Sequence, residues 1–315
     1  MARNATYPSD PRIHVTAQHL LQLGDRSTGL SLLPKQPARS ILNGRHSSRL
    51  RGRGLNFEEL RNYLPGDDIR TIDWKVTART GAPHVRVYTE ERDRPVLLLV
   101  DQRVSMFFGT KEFMKSVVAA EAAAIAAHRV LAQGDRVGGI VFGDTGLAEH
   151  RPQRRAAALM RFLTSVGAMN CNLNADLRFE TSVTLNEVLK QAARIAHTNA
   201  LVCVFSDFDG VDQNSESLFR RLSHANDLIL FNISDPSAHT VPTEARLTVS
   251  DGEQQIEIDG STPDLAKRIR EAMEDRLAQL SKWSLRYGFP IVPLTTAEPA
   301  LGQLLKLFGH GGGPR

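Results

Sequence analysis

The sequence predicts an α/β protein built on a doubly wound, mostly parallel sheet, with a small β-rich subdomain ahead of it. Three observations carry this prediction. Nearly uninterrupted apolar runs recur at 96–100, 200–205 and 228–233. Stretches of helical length and periodicity lie between them. Two of the runs end in a carboxylate, Asp101 and Asp207. Strands that are apolar on both faces belong to parallel sheets covered by helices on both sides. Ligands on such sheets sit beyond the carboxyl ends of the strands, where strand order reverses. Neighbouring first and fourth strands would bring Asp101 and Asp207 to one crevice.

The elements follow in order. Residues 1–40 read as a loosely ordered segment with a short amphipathic helix over Ala17–Leu23. Residues 41–93 read as a β-rich subdomain, in which Val85-Arg-Val-Tyr88 alternates at the period of a strand. The main α/β domain spans 94–240. Its first strand, 96–100, precedes a long helix over 111–132 that Gly134 ends. A strand at 136–142, a turn at 143–146 and an edge strand at 147–150 follow. Pro152 marks a helix start, with Leu159, Phe162 and Leu163 on its apolar face. Residues 167–180 read as a loop. Thr184-Leu-Asn-Glu187 has the spacing of a capping box and opens a helix to about His197. The strand 200–205, a helix at 216–224 and the strand 228–233 complete the alternation. Residues 241–315 read as an extension: a hairpin turning at Asp251-Gly252, a helix over 263–282, a strand at 291–294, a last helix and a mobile tail.

Composition narrows the function classes. The apolar fraction of 41% suffices for a core, and the formal charge of +4 is too mild to imply nucleic acid. The two cysteines, Cys171 and Cys203, have no metal-ligand or CxxC spacing. No stretch reaches the ~18 apolar residues that span a bilayer. The N-terminus carries no apolar signal-like core. A soluble, cytoplasmic protein is expected.

The loop after the first strand, Asp101-Gln-Arg-Val-Ser105, has the spacing of a metal-binding loop with a guanidinium at its middle position. Arg103 offers donors and no lone pair, so it cannot ligate a cation. The plainer reading is that Asp101 and Asp207 cap strand ends, that Thr184 is an N-cap and that Ser105 is a turn residue.

The stretch from Gly52 to Arg92 resembles the signature of the family called domain of unknown function 58. The matching positions include Gly54, Phe57, Arg61, Tyr63, Gly66, Asp67, Asp68, Arg70, Ile72, Asp73, Trp74, Ala78, Arg79 and Glu91. Residues 95–233 resemble a von Willebrand factor A domain, which makes the expected fold a von Willebrand factor A-like sheet. This resemblance implies an adaptor or chaperone-like partner of a MoxR-type AAA+ ATPase, without enzymatic activity of its own. It also implies a Mg²⁺ site at Asp101, Ser105, Thr184 (with Thr181 behind it) and Asp207, in which Arg103 stands where the family has a serine. The cofactor is therefore either none or Mg²⁺, and Arg103 argues against the metal. Arg103 is expected to bridge Asp101 and Asp207, or to grip a partner's carboxylate directly. In the signature, the opposed charges of Arg61, Asp67, Asp68, Arg70, Asp73 and Arg79, with Tyr63 and Gly66 around the turn, either lock the subdomain or dock the ATPase. Trp74 reads as core rather than as a contact residue.

Two other readings stay open. The acid-free stretch 35–53 has the cations to track phosphates, though no interleaved aromatics. The paired acids suit a metal-dependent hydrolase, but no nucleophile–base pair, P-loop or HExxH spacing accompanies them.

Overall fold

The computed structural model describes residues 10–27, 30, 55–65, 67–90, 94–174, 177, 179, 182–236, 246–250, 255–259 and 263–309. Gly66, Thr181, the basic stretch 35–53, the hairpin turn at Asp251-Gly252 and the tail from His310 lie outside these. In chain order the elements begin with α1 (Ala17–Arg26), β1 (Leu55–Asn62), α2 (Trp74–Thr80) and β2 (His84–Glu90). Then come β3 (Pro95–Asp101), α3 (Lys115–Ala132), β4 (Arg136–Gly143), β5 (Gly146–Gln153) and α4 (Ala156–Cys171). They continue with α5 (Leu185–Ile195), β6 (Leu201–Ser206), α6 (Gln213–Ala225) and β7 (Asp227–Ser234). The last are β8 (Arg246–Ser250), β9 (Gln255–Asp259), α7 (Pro263–Tyr287), β10 (Ile291–Thr295) and α8 (Ala300–Phe308).

Two compact units result. One is Leu33–Asp93; the other joins Met1–Leu32 to Arg94–Arg315. The larger unit holds a six-stranded sheet of order β10-β7-β6-β3-β4-β5, parallel except for β5. Strand order reverses between β3 and β6, the switch point expected of a doubly wound sheet. Phe205 and Phe231 stack at 4.4 Å between neighbouring strands. On one face, α5, α6 and α7 bury Leu189, Phe219 and Trp283 against Leu97, Leu99 and Ile140. The other face carries α3, an alanine-rich helix buried almost all round. Helices α1, α4 and α8 pack against α3, which is why it carries no broad polar stripe.

Several boundaries differ from the sequence reading, each for a tertiary reason. Residues 10–27 and 30 are not a loose segment: Val15, Leu20 and Leu30 are buried in the larger unit. Asn170 ties them down by accepting from Val15 N at 2.7 Å and donating to Gln102 at 2.9 Å. Gly167 lies inside α4, not in a loop. A Cβ there would meet the backbone nitrogen of Ala17 at 2.5 Å, so glycine serves close helix packing at this position. Pro152 sits in the edge strand β5, where a missing N–H leaves no gap in the ladder. Helix α3 begins at Lys115 rather than Lys111, because Phe113 N and Met114 N donate to Thr296 O and Arg12 O. β10 completes the main sheet beside β7, so this strand of the C-terminal extension belongs to the main α/β layer, whereas β8 and β9 pair antiparallel as a separate two-stranded sheet.

In the smaller unit β1 and β2 pair antiparallel, with a register shift between Phe57 and Glu59. Among the described residues, no helix is long and apolar enough to cross a membrane.

Candidate functional site

The switch point places the ends of β3 and β6 side by side, and with them Asp101, Ser206 and Asp207. Asp101 is fully buried and Asp207 is 7% exposed. Carboxylates so far from water need compensating charge. Two cations supply it. Arg103 folds back on Asp101, with Nε to Oδ1 at 3.0 Å and a terminal guanidinium nitrogen to Oδ2 at 2.7 Å. Its backbone N–H adds a third bond to Asp101 Oδ1 at 3.1 Å. Lys115, the first residue of α3, reaches Asp207 Oδ2 at 2.5 Å. The Arg103 guanidinium also lies 5.5 Å from the Phe142 ring centroid.

Further donors reach both carboxylates. Ser206 Oγ donates to Asp101 Oδ2 at 2.6 Å and accepts from Phe208 N at 2.9 Å. Asp209 N donates to Asp207 Oδ1 at 3.0 Å. The loop that achieves this bends through Phe208, whose φ of 58° is left-handed. Such a conformation costs a bulky residue on the order of 1–3 kcal/mol. Burial of the Phe208 ring beside Phe219 offsets it. At the rim, Arg276 of α7 pairs with Asp209 and donates to Asp207 O at 3.4 Å. Asp144, after β4, accepts from Val104 N and Ser182 Oγ, each at 2.7 Å, and so fixes the loop that carries Arg103.

Burial alone would pull Arg103 toward neutrality. The Asp101 carboxylate, helped by Asp207 and Asp209, outweighs this and holds the guanidinium above its usual pKa. Burial would likewise raise Asp207, and Lys115, then Arg103, more than reverse it.

Asp101, Arg103 and Asp207 share the crevice. Arg103 does not bridge the two acids by hydrogen bonds: it takes Asp101, and Lys115 takes Asp207. With its side chain only 10% exposed, Arg103 is committed inward and is not presented to a partner's carboxylate. Thr184 caps α5, with Glu187 N donating to its hydroxyl at 3.3 Å and its own N–H donating to Glu187 Oε2 at 2.9 Å. Ser105 Oγ is buried and without a hydrogen-bond partner among the described residues. The implied Mg²⁺ does not fit this arrangement. Asp101 accepts four hydrogen bonds from protein donors, Asp207 is paired with Lys115, the threonine is a helix cap, and two protein cations already neutralise the acids. Sequence reasoning missed Lys115, Ser206, Asp209 and Arg276. Asp209 alone had a signal, as the second acid of Ser206-Asp-Phe-Asp-Gly210; Arg276 is distant in the chain.

In the smaller unit the signature acids build the turn. Asp67 accepts both terminal nitrogens of Arg61 at 2.7 Å and Leu64 N at 2.8 Å. Asp68 accepts from Arg70 N at 2.9 Å, and Asp73 caps α2 by accepting from Lys75 N and Val76 N. Tyr63 N donates to Pro83 O at 2.8 Å across the hairpin. Arg70 and Arg79 are exposed. Trp74 is not core: it is 68% exposed, with Ile69 at 64% and Leu64 at 58%.

A doubly wound sheet with a buried ion lattice at its switch point, and a signature hairpin unit in the same chain, defines the class of protein. The chain belongs to the family described as Protein of unknown function DUF58, which matches residues 59–281. It is 26% identical over 278 residues to the uncharacterized protein Mb1516 of Mycobacterium bovis, covering 88% of this chain and 86% of that one. The uncharacterized proteins MT1527 and Rv1480 of two Mycobacterium tuberculosis strains match to the same extent. Among solved structures, a von Willebrand factor type A protein from Catenulispora acidiphila aligns with a TM-score of 0.30 and 13% identity. That alignment spans 60% of this chain and 43% of the other.

Proposed function

We propose that this protein is a non-catalytic adaptor, a chaperone-like partner of a MoxR-type AAA+ ATPase, and that the signature unit carries the docking surface. The observation behind this reading is the exposure of Trp74, Ile69 and Leu64 within one short segment of a small unit. Single exposed apolar residues are ordinary, but three so close in sequence are more than a surface usually carries. Arg70, Lys75 and Arg79 are exposed beside them, against Asp68. Tryptophan and arginine are the residue types that dominate binding energy at protein interfaces. The charge balance fits an acidic, partly apolar face on the ATPase. The crevice supports the non-catalytic part of the reading, since both carboxylates are buried and tied to protein cations, which leaves them poorly placed to take a substrate's proton.

The test is co-purification and titration with the MoxR-type ATPase of the same cell, with and without ATP. Trp74→Ala and Arg70→Glu should each weaken association at least ~10-fold, the scale of a contact worth more than about 1.4 kcal/mol, while leaving the thermal midpoint unchanged. Undiminished binding by both folded variants, or no association of the wild type in either nucleotide state, overturns the proposal.

A further inference from the structure

We infer that Arg103 and Lys115 together are a built-in replacement for a divalent cation, so that the crevice is assembled without metal. This concerns the site alone and stands whether or not the ATPase reading holds.

Charge is the first argument. Two buried carboxylates require two positive charges nearby, and here two monocations from the chain supply them. Position is the second. Lys115 N donates to Phe108 O at 2.8 Å, so the start of α3 is pinned and the ammonium is delivered to Asp207. Nζ also lies 5.8 Å from the Phe108 ring centroid, and Arg103 lies over Phe142, so each cation has an aromatic neighbour. The third argument is Ser105. Its hydroxyl is buried four residues after Asp101, with no hydrogen bond among the described residues. Buried hydroxyls are normally satisfied, and this one, in the loop that follows Asp101, is left as an unused oxygen. A hard-oxygen set of Asp101, Ser105 and Asp207 would suit Mg²⁺ or Mn²⁺ once both tethered cations were removed.

Deleting the two positive charges should create metal binding. The full-length chain is titrated with Mn²⁺, followed by electron paramagnetic resonance and calorimetry, and with Mg²⁺ in thermal melts. The wild type should show no saturable binding and no shift in midpoint with Mg²⁺ or a chelator. Arg103→Ser combined with Lys115→Ala should bind one Mn²⁺ and gain thermal stability from Mg²⁺ that matched ionic strength in NaCl does not give. Lys115→Gln, which keeps the Arg103–Asp101 pair, serves as the milder variant and should bind Mn²⁺ weakly. If the double variant does not fold by itself, refolding with millimolar Mg²⁺ but not NaCl supports the inference. Saturable one-to-one Mn²⁺ binding to the wild type overturns it. So does failure of the double variant and of folded Lys115→Gln alike to respond to either metal.

Discussion

At the scale of single residues, the crevice is governed by the expense of burying charge. Arg103 makes three hydrogen bonds to Asp101, and no water-exposed alternative exists for that carboxylate. Removing one partner of a buried pair typically costs about 3–5 kcal/mol, because the other charge is left without compensation. Arg103→Ala should therefore lower the free energy of unfolding by that amount, read from urea midpoints. Asp207 makes a pH prediction. Its folded pKa lies below the ordinary 3.8, through Lys115 and Arg103 acting against burial. Such a group contributes stability that is complete above the unfolded value and lost as pH falls through the folded one. Acid unfolding followed by circular dichroism should begin below roughly pH 4. In Lys115→Gln the onset should move to higher pH; an unmoved onset would show that Asp207 does not set it.

At the scale of elements, small features of sequence control how helices meet. Gly167 reads as a loop residue by propensity, yet it lies in α4 at the point where α1 crosses. Gly167→Ala should cost roughly 1–3 kcal/mol, the usual range for overpacking a filled site. Hydrogen exchange should show α1 losing protection first. The capping box of α5 was legible from Thr184 and Glu187 alone, because it is a purely local device. Thr184→Ala should cost about 1 kcal/mol of stability with no change in the crevice. The start of α3 was not legible, since Phe113 and Met114 spend their amides on Thr296 and Arg12. Both partners are far away in sequence.

At the scale of the whole molecule, two compact units carry two different kinds of surface. The signature unit is internally tied: Asp67, Asp68 and Asp73 each accept backbone N–H groups of their own turn. Charge reversal at Asp67 should therefore unfold that unit, seen as selective proteolysis between residues 55 and 90, before any loss of binding can be scored. Trp74→Ala should leave the same protease pattern intact. The proposed association should also weaken as salt rises, because exposed charges more than ~10 Å apart are screened at 0.1 M ionic strength. The larger unit contributes the buried lattice, whose pairs are shielded from salt and should persist across the same titration.

The sequence by itself determined what depends on neighbours along the chain: the apolar strands and their parallel arrangement, the two carboxylates at strand ends, and the capping box. Periodicity and short-range hydrogen bonding are enough for those. The tertiary structure alone decided who partners whom at the crevice. Lys115 lies 92 residues from Asp207 and Ser206 lies 105 from Asp101. Such pairings arise only when strand order reverses and burial makes an unmatched charge intolerable. Exposure of Trp74 was decided at the same level, because a bulky indole serves a core or a surface equally well until its surroundings are in place.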